Sequence, residues 1–172
     1  AAIFSKGKWR MKSTTDYDEM RTFFTRCDVI IGHNIIRWDI PHVERLLGIK
    51  IGCEVIDTLG LSWYISPFAG KHGLESWGEE FGVPKPVITD GEWLGALEGE
   101  TQEEFIKKMT HRCEQDVRIN CMLYDKQMKD LRNLYQQDDK AVDRLIKYMM
   151  YKMDMAREAE RSRWKLDVDK AL

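Results

Sequence analysis

Cys27-Asp28-Val29-Ile30-Ile31-Gly32 runs directly into His33-Asn34-Ile35-Ile36-Arg37-Trp38-Asp39. The first six residues are short, apolar and β-branched, the composition of a strand covered on both faces. Asn34 follows where that strand stops. Asp39 stands at the mouth of the next segment, in which Pro41 suits the first turn of a helix and Gly48 its left-handed close. A strand that ends on polar residues and opens into a helix is how α/β proteins present reactive groups.

Working outward, Thr14 and Thr15 are cap candidates for a helix that begins around Asp16-Tyr17-Asp18-Glu19. Acids in such a first turn complement the helix dipole and need no catalytic role. Cys53 to Ile56 reads as a second strand, with Asp57-Thr58 capping a helix over Leu59 to Ser66. His72 to Phe81 is amphipathic and closes at Gly82. Gly82 to Gly99, with Pro84 and Pro86, reads as loop. Thr101 and Glu104 have capping-box spacing, and helix is expected from there to about Leu134, with a break near Thr110 to Arg112. Asp138 to Arg163 is a last helix rich in methionine and charge. Strands alternating with helices predict an α/β protein with a central sheet.

A formal net charge of −2 gives no global basic field, so any nucleic acid must be met by local patches or through metal ions. No apolar run approaches the ~20 residues of a membrane span. Residues 1–12 hold no long apolar core, so no signal peptide is expected. Cys27, Cys53, Cys113 and Cys121 form no CxxC pair, which predicts free thiols and a cytoplasmic setting, the host cytoplasm if the chain is phage-encoded.

A second constellation is His111-Arg112-Cys113-Glu114-Gln115-Asp116, which leads into the apolar positions Val117, Ile119, Cys121 and Leu123. A carboxylate on the inward side of a helix is costly unless it is paired or holds a metal. Together, His33-Asn34 with Trp38-Asp39, and His111 with Gln115-Asp116-Val117, resemble the second and third motifs of the DEDD exonucleases. Ile56 to Ser62, Gly70 to Gly78 and Arg163 to Ala171 resemble the linking segments of family A DNA polymerases from short-tailed phages.

The resemblance implies an RNase H-like fold, a mixed sheet flanked by helices that lacks its first strand or strands and carries a helical C-terminal extension. Residues 1–134 would form the exonuclease-like domain, and residues 135–172 the extension toward a polymerase domain. It implies a proofreading 3′→5′ exonuclease acting on single-stranded DNA 3′ ends with two magnesium or manganese ions. In such sites paired ions ~4 Å apart activate a water and stabilise the leaving oxygen, and carboxylates hold these hard cations. Carried to matching positions, Asp39 and Asp116 would be metal ligands, His111 the general base and Asn34 a contact to the DNA end.

Two departures accompany the match. The family's first motif, Asp-X-Glu, is expected from an upstream segment or a partner chain. Polymerase-linked members carry Tyr four residues before the third-motif Asp, and Arg112 stands there instead. Positions five apart on a helix differ by about 140°, so His111 reaches the Asp116 site only if the helix breaks or starts between them. Arg112 shares the Asp116 face and could clamp a phosphate.

Blander readings stand beside each of these. Asp39 could simply start a helix, and Asp116 could pair with Arg112 or Arg118. Lys107, Lys108 and Arg112 could be a solvated face. His33, His42 and His72 read as structural, Trp63, Trp77 and Phe81 as core, and Met149, Met150, Met153 and Met155 as packing against a neighbouring domain. The rival function is an exonuclease-fold subunit or fragment that only binds DNA or the rest of a split polymerase. RNA trimming also stays open, since sugar preference depends on contacts to the 2′-OH.

Overall fold

The computed structural model describes residues 1–162. The chain is mixed α/β and mostly helical. Its first element was not expected from the sequence: β1 (Ala2–Ser5) and β2 (Lys8–Met11) form an antiparallel hairpin. Lys6 and Gly7 both have positive φ, 51° and 73°. That is the backbone of a two-residue turn whose twist matches the strands it joins. The hairpin lies on the longest helix, α5 (Gln102–Leu134): Trp9 Nε1 donates to Asp125 Oδ2 at 3.1 Å, and the Trp9 ring meets Tyr124 edge-on at 6.4 Å.

α1 (Tyr17–Arg26) is capped by Asp16 and not by either threonine; Asp16 Oδ1 accepts from the Asp18 and Glu19 amides at 2.7 and 3.1 Å. β3 (Val29–Gly32) pairs in parallel with β4 (Glu54–Asp57), and Gly32 stands opposite Asp57. Between them, α2 (Asp39–Leu47) ends at Gly48, whose φ is 65°. The four described strands therefore form two separate pairs, and the single central sheet expected from the alternation of elements is corrected to this extent. The hairpin meets α5 through Trp9, while Ile3, Phe4 and Met11 stay exposed, and β3–β4 remains a separate pair.

α3 (Thr58–Ile65) follows β4 with no spacer, because Asp57 is both the last strand residue and the helix cap. α4 (Leu74–Phe81) closes at the left-handed Gly82. The loop beyond carries one 3-10 turn, Glu92–Leu94. α5 opens with the full capping box between Thr101 and Glu104 and continues for 33 residues. The break expected near Thr110 to Arg112 is absent: no Gly or Pro interrupts residues 102–134, and each turn in that region is tied to the loop before the helix, as described below.

Gln136 and Gln137, both with positive φ, end α5 and let α6 (Asp139–Ser162) fold back onto α3 and β4. Val142, Leu145, Ile146, Met150 and Met153 of α6 are buried in the same cluster as Ile30, Ile56 and Leu61. A Cβ on Gly60 would stand 3.0 Å from Met153 Cγ, so α3 and α6 are in close contact there. The methionine stripe thus packs inside this chain, correcting the expectation of a neighbouring domain; Met155 alone of the four is exposed. The boundary read at 134/135 falls at the α5–α6 break, yet α6 completes the core. The Arg163 to Ala171 segment lies outside the described residues. Trp77 is buried with Val83, Ile119 and Leu123 in a second cluster, and Phe81 packs against it, whereas Trp63 is exposed.

Candidate carboxylate site at the end of β3

The chain leaves β3 through a turn that only glycine permits. A Cβ on Gly32 would lie 2.6 Å from Ile35 Cβ. Asn34 adopts φ 59°, a left-handed conformation that asparagine tolerates better than most residues. The turn is held from β4. Asp57 is wholly buried; its Oδ1 accepts from the Asn34 and Leu59 amides at 2.9 and 3.0 Å, and its Oδ2 from the Ile36 amide at 3.1 Å. One carboxylate thus fixes the loop that carries Asn34 and leads to Asp39, and caps α3 as well. Burial pushes the Asp57 carboxyl above its usual range, and the amide donors oppose that rise.

The next layer comes from α5. Asn120 Oδ1 accepts from the Thr58 hydroxyl at 2.7 Å, and Gln127 Nε2 donates to the Thr58 carbonyl at 2.9 Å. Because Asn120 Oδ1 can only accept, the Thr58 proton points to it, and His33 Nδ1, 2.9 Å from Thr58 Oγ1, must be the donor of that pair. Burial lowers the His33 pKa to about 4, so the ring is neutral at physiological pH. The other two histidines of this region are tied into the fold. His42 Nδ1 donates to the Trp38 carbonyl at 2.6 Å, and His72 Nδ1 pairs with Ser62 Oγ at 2.9 Å.

Asp39 opens α2, and Asp116 projects from α5. Burial raises the Asp39 carboxyl above its usual range, and the negative charges of Asp57 and Asp116 raise it further. The Cys113 thiol is likewise raised by burial first, then by Asp116, and more weakly by Asp39. The charge of Asp116 thus reaches both Asp39 and Cys113, although Asp39 is exposed at the surface. Asp116 has a direct partner that the sequence reading did not single out: Lys85 Nζ stands 2.8 Å from its Oδ1. The signal was present, since Pro84 and Pro86 fix the backbone on both sides of this lysine.

The remaining candidates are not gathered there. His111 is exposed, on an unbroken helix, and faces away from Asp116. Arg112 donates to the Pro86 carbonyl and lies over the Trp93 ring at 5.4 Å, so its guanidinium holds the loop. Lys108 pairs with buried Glu92, which leaves Lys107 as the exposed member of that basic stretch. Asn34 lies in the turn held by Asp57, with its side-chain oxygen buried and without a hydrogen-bond partner.

No protein-family model matches this chain, and no curated protein matches it. Function must be argued from the site. Among the described residues, no group of three or more His, Cys, Asp or Glu side chains could hold a metal ion. Asp39 and Asp116, with a lysine ammonium on the second, do not by themselves fit the two-ion, four-carboxylate centre of the resembled family. No described helix is long and apolar enough to cross a membrane.

The raised Asp39 carboxyl has a measurable consequence. Asp39 titrates higher in the folded chain than in the unfolded one. Below its ordinary pKa both states are protonated and stability is unaffected. As pH rises from there through the folded value, the unfolded state ionises first and stability falls. Asp39→Asn is therefore expected to match wild type in strong acid and to exceed it at neutral pH. Surface exposure limits the gain to roughly half a kcal/mol. Urea titrations across pH check this; a neutral-pH loss in the variant would refute it.

Proposed function

We propose that this chain is the part of a polymerase-associated 3′→5′ exonuclease, RNase H-like in fold, that carries the second and third acidic motifs. It would remove nucleotides from DNA 3′ ends once an Asp-X-Glu pair, from another segment or a partner chain, completes the carboxylate set for two magnesium or manganese ions. The supporting observation is that Asp39 follows the turn at a buried strand end and that the charge of Asp116, distant in sequence, reaches it. Asp39 and Asp116 are the proposed ligands, and Asn34 the proposed contact to the DNA end. His111, exposed on another face of α5, is left out of the catalytic set.

The Lys85–Asp116 pair favours a second reading, a module that keeps the exonuclease framework and binds DNA or a polymerase without cleaving. Release of mononucleotide from 3′-labelled single-stranded DNA with manganese, alone and with a polymerase chain bearing Asp-X-Glu, separates the two. Activity that is lost in Asp116→Ala and Asp39→Ala supports the nuclease. Equal digestion by wild type and Asp116→Ala removes Asp116 from it. DNA binding without cleavage in both settings leaves the binding module.

A further inference from the structure

We propose that Cys27 and Cys53 form an oxidative modification site, where a small-molecule disulfide such as oxidised glutathione joins the two thiols into one reversible intrachain disulfide. The bond would tie β3 to β4 at the end of the strand pair opposite the Gly32 turn. The inference does not depend on the nuclease reading, since neither cysteine belongs to the acidic site.

The parallel pairing brings the two residues together. Val29 stands opposite Glu54, and the Glu54 amide donates to the Asp28 carbonyl at 3.2 Å, so the two segments enter the pair side by side. Cys27 directly precedes Asp28, and Cys53 directly precedes Glu54. Their sulfurs lie 3.5 Å apart, in van der Waals contact. A disulfide spans about 2.05 Å, so a gap of about 1.5 Å remains to be closed. Cys27 Sγ also donates to the Phe24 carbonyl at 3.4 Å, which holds that thiol against the end of α1. Both side chains pack against the core cluster of Ile30 and Ile56, yet neither is fully buried. Cys53 lines the open groove between α2 and α6, so a small reagent reaches the pair from its side. The other two cysteines offer a contrast. Cys113 and Cys121 are eight residues apart on α5, about 12 Å along the helix axis and out of disulfide range.

The chemistry proceeds by two exchanges. Cys53, as thiolate, attacks one sulfur of oxidised glutathione; the reagent's S–S bond breaks and one glutathione leaves as thiolate, to be protonated by water. Cys27, as thiolate, then attacks the Cys53 sulfur and displaces the second glutathione. Two protein thiols are oxidised to one disulfide, and the reagent's disulfide is reduced to two thiols. Burial, and after it Cys53 itself, push the Cys27 thiol up to about 11. The second step is therefore the slow one at neutral pH, because the thiolate is the attacking form. The bond closes a loop across 26 residues that contains β3, the turn held by Asp57, and all of α2 with Asp39. Such a cross-link constrains the unfolded chain more than the folded one, and so favours the fold.

The test incubates the reduced, folded full chain with oxidised glutathione and reads intact mass, a non-reducing peptide map and thermal melting. The expected product has lost two hydrogens and yields a cross-linked peptide pair carrying Cys27 and Cys53. Its melting midpoint should rise by roughly 5–10 °C, and dithiothreitol should reverse both changes. Cys27→Ser and Cys53→Ser should each lose the cross-link and the rise, whereas Cys113→Ser should keep both. The wild-type and Cys113→Ser maps decide the matter even where a substitution at Cys27 or Cys53 spoils folding. Glutathione that adds to Cys113 while Cys27 and Cys53 remain thiols overturns the proposal. So does an adduct that stays on Cys53 without closing, a link that forms only in urea, or a link that leaves the midpoint unchanged or lower. None of these results bears on the nuclease reading.

Discussion

Asp57→Ala is expected to destabilise the protein by about 3–5 kcal/mol, a large fraction of the stability of a typical domain. The carboxylate is wholly buried and receives three main-chain amides, from Asn34, Ile36 and Leu59. Alanine leaves all three donors in a dry interior, and an unmade buried hydrogen bond costs more than a formed one contributes. Two structures fail together: α3 loses its cap, and the turn after β3 loses its tether. The turn matters for the site, because Asn34 sits in it and Asp39 follows it. Asp57→Asn retains one acceptor oxygen but brings a donor group toward amide donors, so an intermediate loss is expected. Urea denaturation of the three proteins checks the order; a loss below about 1 kcal/mol for Asp57→Ala would mean that the turn and the cap are held by other contacts.

Much of this framework was legible in the sequence because its signals are local. The β-branched run ending at Gly32, the Asp57 cap, the glycines closing α2 and α4, and the capping box of α5 each depend on residues a few positions apart. The hairpin was not read, because its strands have four residues each and lean on α5, far along the chain. The continuity of α5 was misjudged for a similar reason: what holds the Thr110 to Arg112 turn is the Pro86 carbonyl and Trp93, which are not local to it. At the site, Asp39 and Asp116 could be picked out by type and position. Lys85 was marked by its flanking prolines, but its partner was not legible, because the segment after α4 meets Asp116 only in the folded chain. Asp57 was visible as a cap, but not as the clamp on the β3 turn, which requires β3 and β4 to be paired with Gly32 opposite Asp57. Polar Asn120 and Gln127 among the buried positions Ile119, Leu123 and Leu131 were a readable hint that α5 meets carbonyls or hydroxyls, though not which ones.

Ile119→Ala is expected to cost about 2–5 kcal/mol, the second large effect. Ile119 is fully buried, and its side chain joins Trp77, Val83 and Leu123 into the cluster that seats α4 on α5. Ile119→Val, which removes one methyl, should cost only about 1 kcal/mol. The fit can be probed from the opposite side. A Cβ on Gly78 would stand 2.9 Å from both Ile119 Cδ1 and the Val83 carbonyl oxygen. The first obstacle is the tip of a side chain and the second is backbone. Gly78→Ala should therefore destabilise wild type, and destabilise the Ile119→Ala protein less, without becoming neutral. A double-mutant cycle by urea denaturation measures that coupling, and strictly additive effects would show that the two positions do not press on each other. The consequence extends to the acidic site. Val83 begins the segment that carries Lys85, and Ile119 lies one turn beyond Asp116, so a cavity there is expected to loosen both ends of the Lys85–Asp116 contact. Amide exchange of Ile119→Ala should accordingly rise in residues 82–95 as well as in α4, while the β3–β4 pair, packed in the other cluster, keeps its protection.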